Sequence, residues 1–151
     1  MHKIMMTMAV AALTAATLAA SEQTDVMATV NQLVEAFNKG DIKSLLASCI
    51  DEMCIIDEFP PHEWHGAGTC SKWLADYDAD AKKNGINDGA VTIGKPLHVD
   101  VTGDRAYVVV PATYTYKQHG KPMKETGSIW TFALQKVEGS WRVSGWAWAK
   151  H

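Results

Sequence analysis

The clearest signal along the chain is a change of period. Between residues 21 and 83 the apolar positions mostly recur at three and four, and from residue 90 they alternate or gather in short β-branched blocks. Val26, Val30, Leu33, Val34 and Phe37 form one stripe and predict a helix over 21–39. Ser21 or Thr24 is placed to cap its start, and Gly40 to supply the left-handed residue after its end. Asp41 then caps a second, shorter helix with Ile42, Leu45, Leu46 and Cys49 on its inner face. Met53 to Asp57 reads as a strand, with Met53, Ile55 and Asp57 on one face and Cys54, Ile56 and Glu58 on the other. Pro60-Pro61 cannot continue a central strand, so the chain turns or follows an edge there. After Gly66-Ala67-Gly68, Thr69 is placed to cap a third helix carrying Cys70, Trp73, Leu74, Tyr77 and Ala81, which ends at Asn84-Gly85.

The second half reads as sheet. Strand regions over 91–101 (interrupted by Gly94 and Pro96), 105–117, 124–137 and 141–149 are separated by short Gly-, Asp- and Pro-containing turns. Strands joined so closely are antiparallel neighbours. Helices followed by strands make an α+β domain: a cone-shaped, curved antiparallel sheet packed on three N-terminal helices, with an open mouth. The pocket-facing parity of the last strand depends on Gly145, a candidate bulge.

Residues 1–20 stand apart. His2 and Lys3 precede an uncharged run from Ile4 to Leu18, and Ala19-Ala20 meets Ser21, the pattern of a cleaved secretory signal. The expected product is a periplasmic or secreted single domain over 21–151, not held in a membrane after cleavage. The alternative is an ordinary N-terminal helix packed on the domain. The whole chain has 151 residues and a formal charge of −3, and cleavage removes Lys3 and no acid. Such a balance, with only weak clusters at Lys82-Lys83 and Lys117 to Lys124, excludes nucleic-acid binding as a leading reading. Three cysteines, Cys49, Cys54 and Cys70, allow three single bridges, each leaving one thiol over, or three buried thiols.

Asp57 is the sharpest candidate for chemistry. A carboxylate facing an aromatic-lined cavity has its pKa raised, which suits a general acid or base. The competing reading is a strand-end Asp that caps a turn. His62 and His65 flank Glu63 and Trp64, where they can assist Asp57 or stack with the indole over the pocket mouth. Asp57, His62 and His65 match no standard zinc spacing, so no metal is expected, and no cofactor motif is present. Tyr114, Tyr116, Trp130 and Trp148, with Phe37, Trp73 and Tyr77 from the helices and Trp64 from the loop at the mouth, supply the material for an apolar ligand pocket. Core filling is the alternative for each of them.

The element order resembles that of the nuclear-transport-factor-2-like superfamily, which includes ketosteroid isomerases and SnoaL-like polyketide cyclases. The corner Phe37-Asn38-Lys39-Gly40-Asp41, the strand Cys54-Ile55-Ile56-Asp57 and the ending Gly139-Ser140-Trp141-Arg142-Val143 carry the resemblance. It implies the SnoaL-like, cystatin-like cone and places Asp57 where the isomerases keep their general base. Leu33 and Trp130 fall where that resemblance requires a Tyr and a protonated Asp, so the usual oxyanion hole is missing. Two functions follow from it: binding of a small apolar or aromatic molecule, or acid–base catalysis as an isomerase, cyclase or dehydratase with Asp57 acting and His62 or a Tyr assisting. The resemblance also implies a homodimer through the broad sheet face.

Overall fold

In the computed structural model, backbone is described for residues 3–151 and side chains from Leu18 onward. The signal segment expected over 1–20 falls largely outside the described side chains. Ten elements follow in order: α1 Lys3–Lys39, α2 Ile42–Ala47, β1 Cys49–Ile56, β2 Glu63–Gly66, α3 Thr69–Lys83, β3 Ile86–Ile93, β4 His98–Thr102, β5 Arg105–Gln118, β6 Lys121–Val137 and β7 Ser140–Ala149. Among the described residues no helix is long and apolar enough to cross a membrane.

The stripe on α1 packs as its period demands, with Val26 and Val30 fully buried and Leu33 and Val34 nearly so. Ser21 and Thr24 cap nothing, because the helix continues through them; the Thr24 hydroxyl bonds back to the Ala20 carbonyl at 2.9 Å. At the other end the expected corner forms. Gly40 takes φ +66°, its N–H donates to Phe37 O, and Asp41 N–H donates to Ala36 O. Asp41 then caps α2 by accepting from Ser44 N–H at 3.1 Å. Asn38 fastens the corner to the sheet: its amide donates to Val91 O at 2.8 Å and accepts from Val91 N–H at 2.7 Å.

Cys49 is not on α2. The helix ends at Ala47, and Ser48 O accepts from Val143 N–H, so pairing with β7 draws Cys49 into β1. That pairing is parallel, which corrects the wholly antiparallel sheet: the seven strands form one mixed sheet of order β2-β1-β7-β6-β5-β3, with β4 also on β5. Helices three, curved and unclosed sheet, and α+β class otherwise agree with the pattern. The parallel contact needs a close approach. A Cβ on Gly145 would lie 2.9 Å from the Cys54 carbonyl oxygen, so glycine is required there.

Four further local differences have simple causes. Glu63–Gly66, expected as loop, is a short strand paired to β1. The region 91–101 divides at Gly94–Leu97 into β3 and β4, which take opposite ends of the same edge of β5. Gly68, in the left-handed region, occupies the N-cap of α3, and Thr69 is instead fully buried, its hydroxyl donating between Gly66 O and Met53 O. The β7 bulge sits at Ser144 rather than Gly145, since Ala133 pairs Gly145 and Leu134 pairs Val143. It shifts the alternation by one, and so Trp141, Val143, Trp146 and Trp148 all face inward.

Candidate functional site

Asp57 follows directly on β1. The alternation that buries Met53 and Ile55 carries its side chain inward, while Cys54 and Ile56 face out. Beyond it the chain reverses through Pro60-Pro61, a cis pair, with His62 N–H donating to Phe59 O and Asp57 N–H to His62 O. The Asp57 carboxylate accepts from two donors: Glu58 N–H to Oδ1 at 2.7 Å and Trp73 Nε1–H to Oδ2 at 2.9 Å. Burial pushes its pKa up, the hydrogen bonds from Glu58 N–H and Trp73 pull it down, and the nearby negative charge of Glu125 pushes it up again. Trp146 Nε1 adds a weak downward pull from outside hydrogen-bond geometry. Burial prevails, and the net direction is upward. No cation pairs with Asp57 among the described residues.

Asp57 opens into a cavity of about 310 Å³ lined by α1, α3 and the concave sheet face and open at its mouth. Of the aromatic residues expected there, Phe37, Trp73, Tyr77, Tyr114, Tyr116, Trp130 and Trp148 all line it. They form a connected wall. Trp73 stacks on Tyr77 at 5.6 Å, Tyr114 on Tyr116 at 4.9 Å, and Trp130 meets Trp148 edge-on at 5.3 Å. Trp130 and Trp148 line the space and do not fill it. The Tyr77 and Tyr114 hydroxyls lie 2.7 Å apart. Burial raises both phenols above their ordinary range; their shared hydrogen bond raises Tyr114 further and offsets part of the rise at Tyr77.

Three expected residues lie elsewhere. Trp64 is buried behind the cavity, packed on Phe59 at 5.0 Å, with its indole N–H donating to Asp76 Oδ2 at 2.8 Å. His62 is exposed, and its Nδ1 meets the Asp57 backbone carbonyl at 3.2 Å, not the carboxylate. His65 is also exposed, 3.4 Å from Glu63. The histidines and Asp57 therefore form no common site. Among the described residues no cluster of His, Cys, Asp or Glu has metal-ligating geometry.

The structure adds a charged group at the mouth that the pattern did not single out. Lys150 Nζ meets Glu58 Oε2 at 2.5 Å and Glu125 Oε2 at 3.0 Å. Glu125 also accepts from the Ser128 hydroxyl at 2.7 Å and from Trp148 Nε1–H at 3.0 Å. Burial alone would raise the Glu125 carboxyl, but Ser128, Lys150, Glu58 and Trp148 hold it below its usual value. Burial raises Glu58, and Lys150 is held well up by its two acids. Strict alternation from Trp130 through Ser128 would turn residue 125 outward. Gly127, at φ +82°, sits in a β6 irregularity where Ala112 pairs Ser128 and Tyr114 pairs Glu125, and this returns Glu125 to the inner face. A Gly next to Ser128 was the available signal. Glu58 enters the mouth because β1 has already ended at Ile56.

Among curated proteins none matches this chain. Solved structures do. A ketosteroid isomerase-like protein from Erwinia carotovora atroseptica superposes with TM-score 0.66 at 21% identity, over 85% of this chain and 95% of the other. A nuclear transport factor 2-like superfamily protein from Salmonella enterica gives TM-score 0.72 at 12% identity, over 87% and 92%. An NTF-2 like protein of unknown function from Shewanella oneidensis gives 0.59 at 16%, over 83% and 96%. At these identities the likeness is one of fold. The SnoaL-like domain family matches residues 26–146, from the buried stripe of α1 into β7. The chain belongs to the SnoaL-like domain family, on the nuclear-transport-factor-2-like fold.

Proposed function

We propose that this chain is an exported SnoaL-like domain that binds a small apolar or aromatic molecule in the cavity behind Asp57. The observation that carries the reading is a half-buried carboxylate without a cation at the head of an aromatic-walled space of about 310 Å³. That volume is in the lower range of small-molecule sites. Trp130 lines the same space, and its indole N–H is buried with no acceptor among the described residues. Binding buries apolar ligand surface at about 25 cal/mol per Å², with Asp57 fixing orientation.

A second reading, acid–base catalysis, is favoured by one specific feature. The Tyr77–Tyr114 hydroxyl pair shares the cavity with Asp57, so proton donor and proton acceptor face one space. The reaction would be an isomerisation, cyclisation or dehydration, with Asp57 moving the proton; His62 lies outside the cavity and takes no part. Export rests on the basic and apolar character of residues 1–20. A homodimer through the convex sheet face is supported by the uncharged row Ile56, Ala147, Thr131 and Val109 across it.

The test is mass spectrometry of small molecules extracted from purified wild-type and Asp57→Asn protein. The reading predicts a stoichiometric apolar compound whose retention falls in the variant. A purified protein that carries nothing and takes up no apolar aromatic probe contradicts it. Turnover of that compound by wild type and not by the variant would select the second reading.

A further inference from the structure

We infer that Cys49 and Cys70 form a disulfide that closes the segment carrying Asp57 into a covalent loop. The two cysteines come from different elements, one at the first position of β1 and the other in the first turn of α3. Both are buried, and their sulfurs lie 3.1 Å apart. Two thiols held together in a closed apolar site, with no other polar partner, need only a small side-chain adjustment to bond. Cys54, only five residues from Cys49, faces the opposite side of the sheet and is exposed, so the fold selects one of the three pairings that the sequence allows.

The place of the bond gives it a role. The loop from Cys49 to Cys70 contains all of β1, Asp57, the Pro60-Pro61 reversal and β2. Its far anchor is three residues before Trp73, the donor to Asp57 Oδ2. The bond therefore ties the strand that delivers the carboxylate to the helix that delivers its partner. Thr69 already makes a noncovalent version of the same link through Met53 O at 3.1 Å. The inference is independent of whether the cavity binds a ligand.

The chemistry is thiol–disulfide exchange with a small or protein disulfide, such as oxidised glutathione. One cysteine thiolate attacks the oxidant's S–S bond, forms a mixed disulfide and expels one thiolate. The second cysteine thiolate attacks the protein sulfur and expels the other. Two protein thiols lose two protons and two electrons, and the oxidant gains both as two thiols. In the folded chain, hydrogen bonding between the two thiols and burial keep Cys49 protonated. Exchange is thus expected while the chain folds and both sulfurs are accessible, not in the closed protein.

The test uses full-length protein refolded in a reduced and oxidised glutathione buffer. It is then denatured without reductant in excess N-ethylmaleimide, weighed and peptide-mapped. The inference predicts one adduct, on Cys54, a Cys49–Cys70 cross-linked peptide, and three adducts once reductant is added. Three adducts without reductant, or a cross-link to Cys54, overturns it. Melting gives a second readout: reduction is expected to lower the wild-type midpoint by roughly 8–15 °C and to leave Cys49→Ala/Cys70→Ala unchanged. An equal shift in both proteins counts against the bond.

Discussion

The indole N–H of Trp73 donates to Asp57 Oδ2 at 2.9 Å, and this one contact joins the end of β1 to the inner face of α3 across the head of the cavity. A hydrogen bond to a charged group is worth about 1.5–3 kcal/mol net. Trp73→Phe keeps most of the apolar volume and removes the donor. The expected result is a folded protein destabilised by roughly 1–3 kcal/mol in urea unfolding, with the Asp57 carboxyl titrating at higher pH than in wild type by ¹³C NMR. An unchanged titration would show that Glu58 N–H alone holds the carboxylate.

The upward shift at Asp57 fixes the sign of a pH effect on stability. A carboxyl whose folded pKa exceeds its unfolded one binds the proton more tightly when folded. Its contribution is fully present below the ordinary carboxylate value of 3.8 and is lost as pH rises through the folded value. Asp57→Asn removes that loss. The stability of the variant relative to wild type is expected to improve steadily from pH 4 towards pH 7 in urea titrations. A difference that is flat, or that falls with pH, contradicts the burial argument.

Glu125 holds the mouth together through Lys150, Ser128 and Trp148. Its side chain is only 8% exposed, so replacing the charge leaves Trp148 Nε1 and Ser128 competing for a weaker acceptor. Glu125→Gln is expected to cost about 1–3 kcal/mol. Lys150 is 54% exposed, and Lys150→Gln should cost under about 1 kcal/mol. Thermal melts of the two variants check the ranking.

The uncharged convex row offers a test of assembly. Thr131 lies at its centre, paired to Val109 on one side and Ala147 on the other. Thr131→Glu is expected to convert a dimer to a folded monomer in light scattering, since a charge buried at an interface without a partner is costly. A wild-type monomer at micromolar concentration would remove the assembly reading.

Much of this was legible in the chain because it depends on local period. Val26, Val30 and Leu33 announced α1, the Gly40-Asp41 corner announced its end, and the alternation of Met53 and Ile55 aimed Asp57 inward. What the sequence did not disclose depends on long-range pairing. Cys49 continued a helical stripe, and only its pairing with Val143 on the parallel neighbour places it in a strand. Glu125 reaches the cavity through an irregularity at Gly127, and Lys150 through the course of β7. Trp64 looked like pocket material from its neighbours, yet a hydrogen bond to Asp76, twelve residues on, turns it behind the wall. Trp130 falls where the resemblance requires an acid, and its N–H is a buried donor without an acceptor among the described residues.

The six tryptophans allow the central claim to be tested in one measurement. Trp73, Trp130 and Trp148 line the cavity, whereas Trp64 and Trp141 hold their indole N–H groups on Asp76 and Glu22 away from it. Assigned indole N–H resonances are followed by NMR while an uncharged bicyclic aromatic such as 2-naphthol is titrated in. The account predicts saturable shifts at Trp73, Trp130 and Trp148 with Trp64 and Trp141 fixed. No saturable shift, or shifts confined to Trp64 and Trp141, would contradict it.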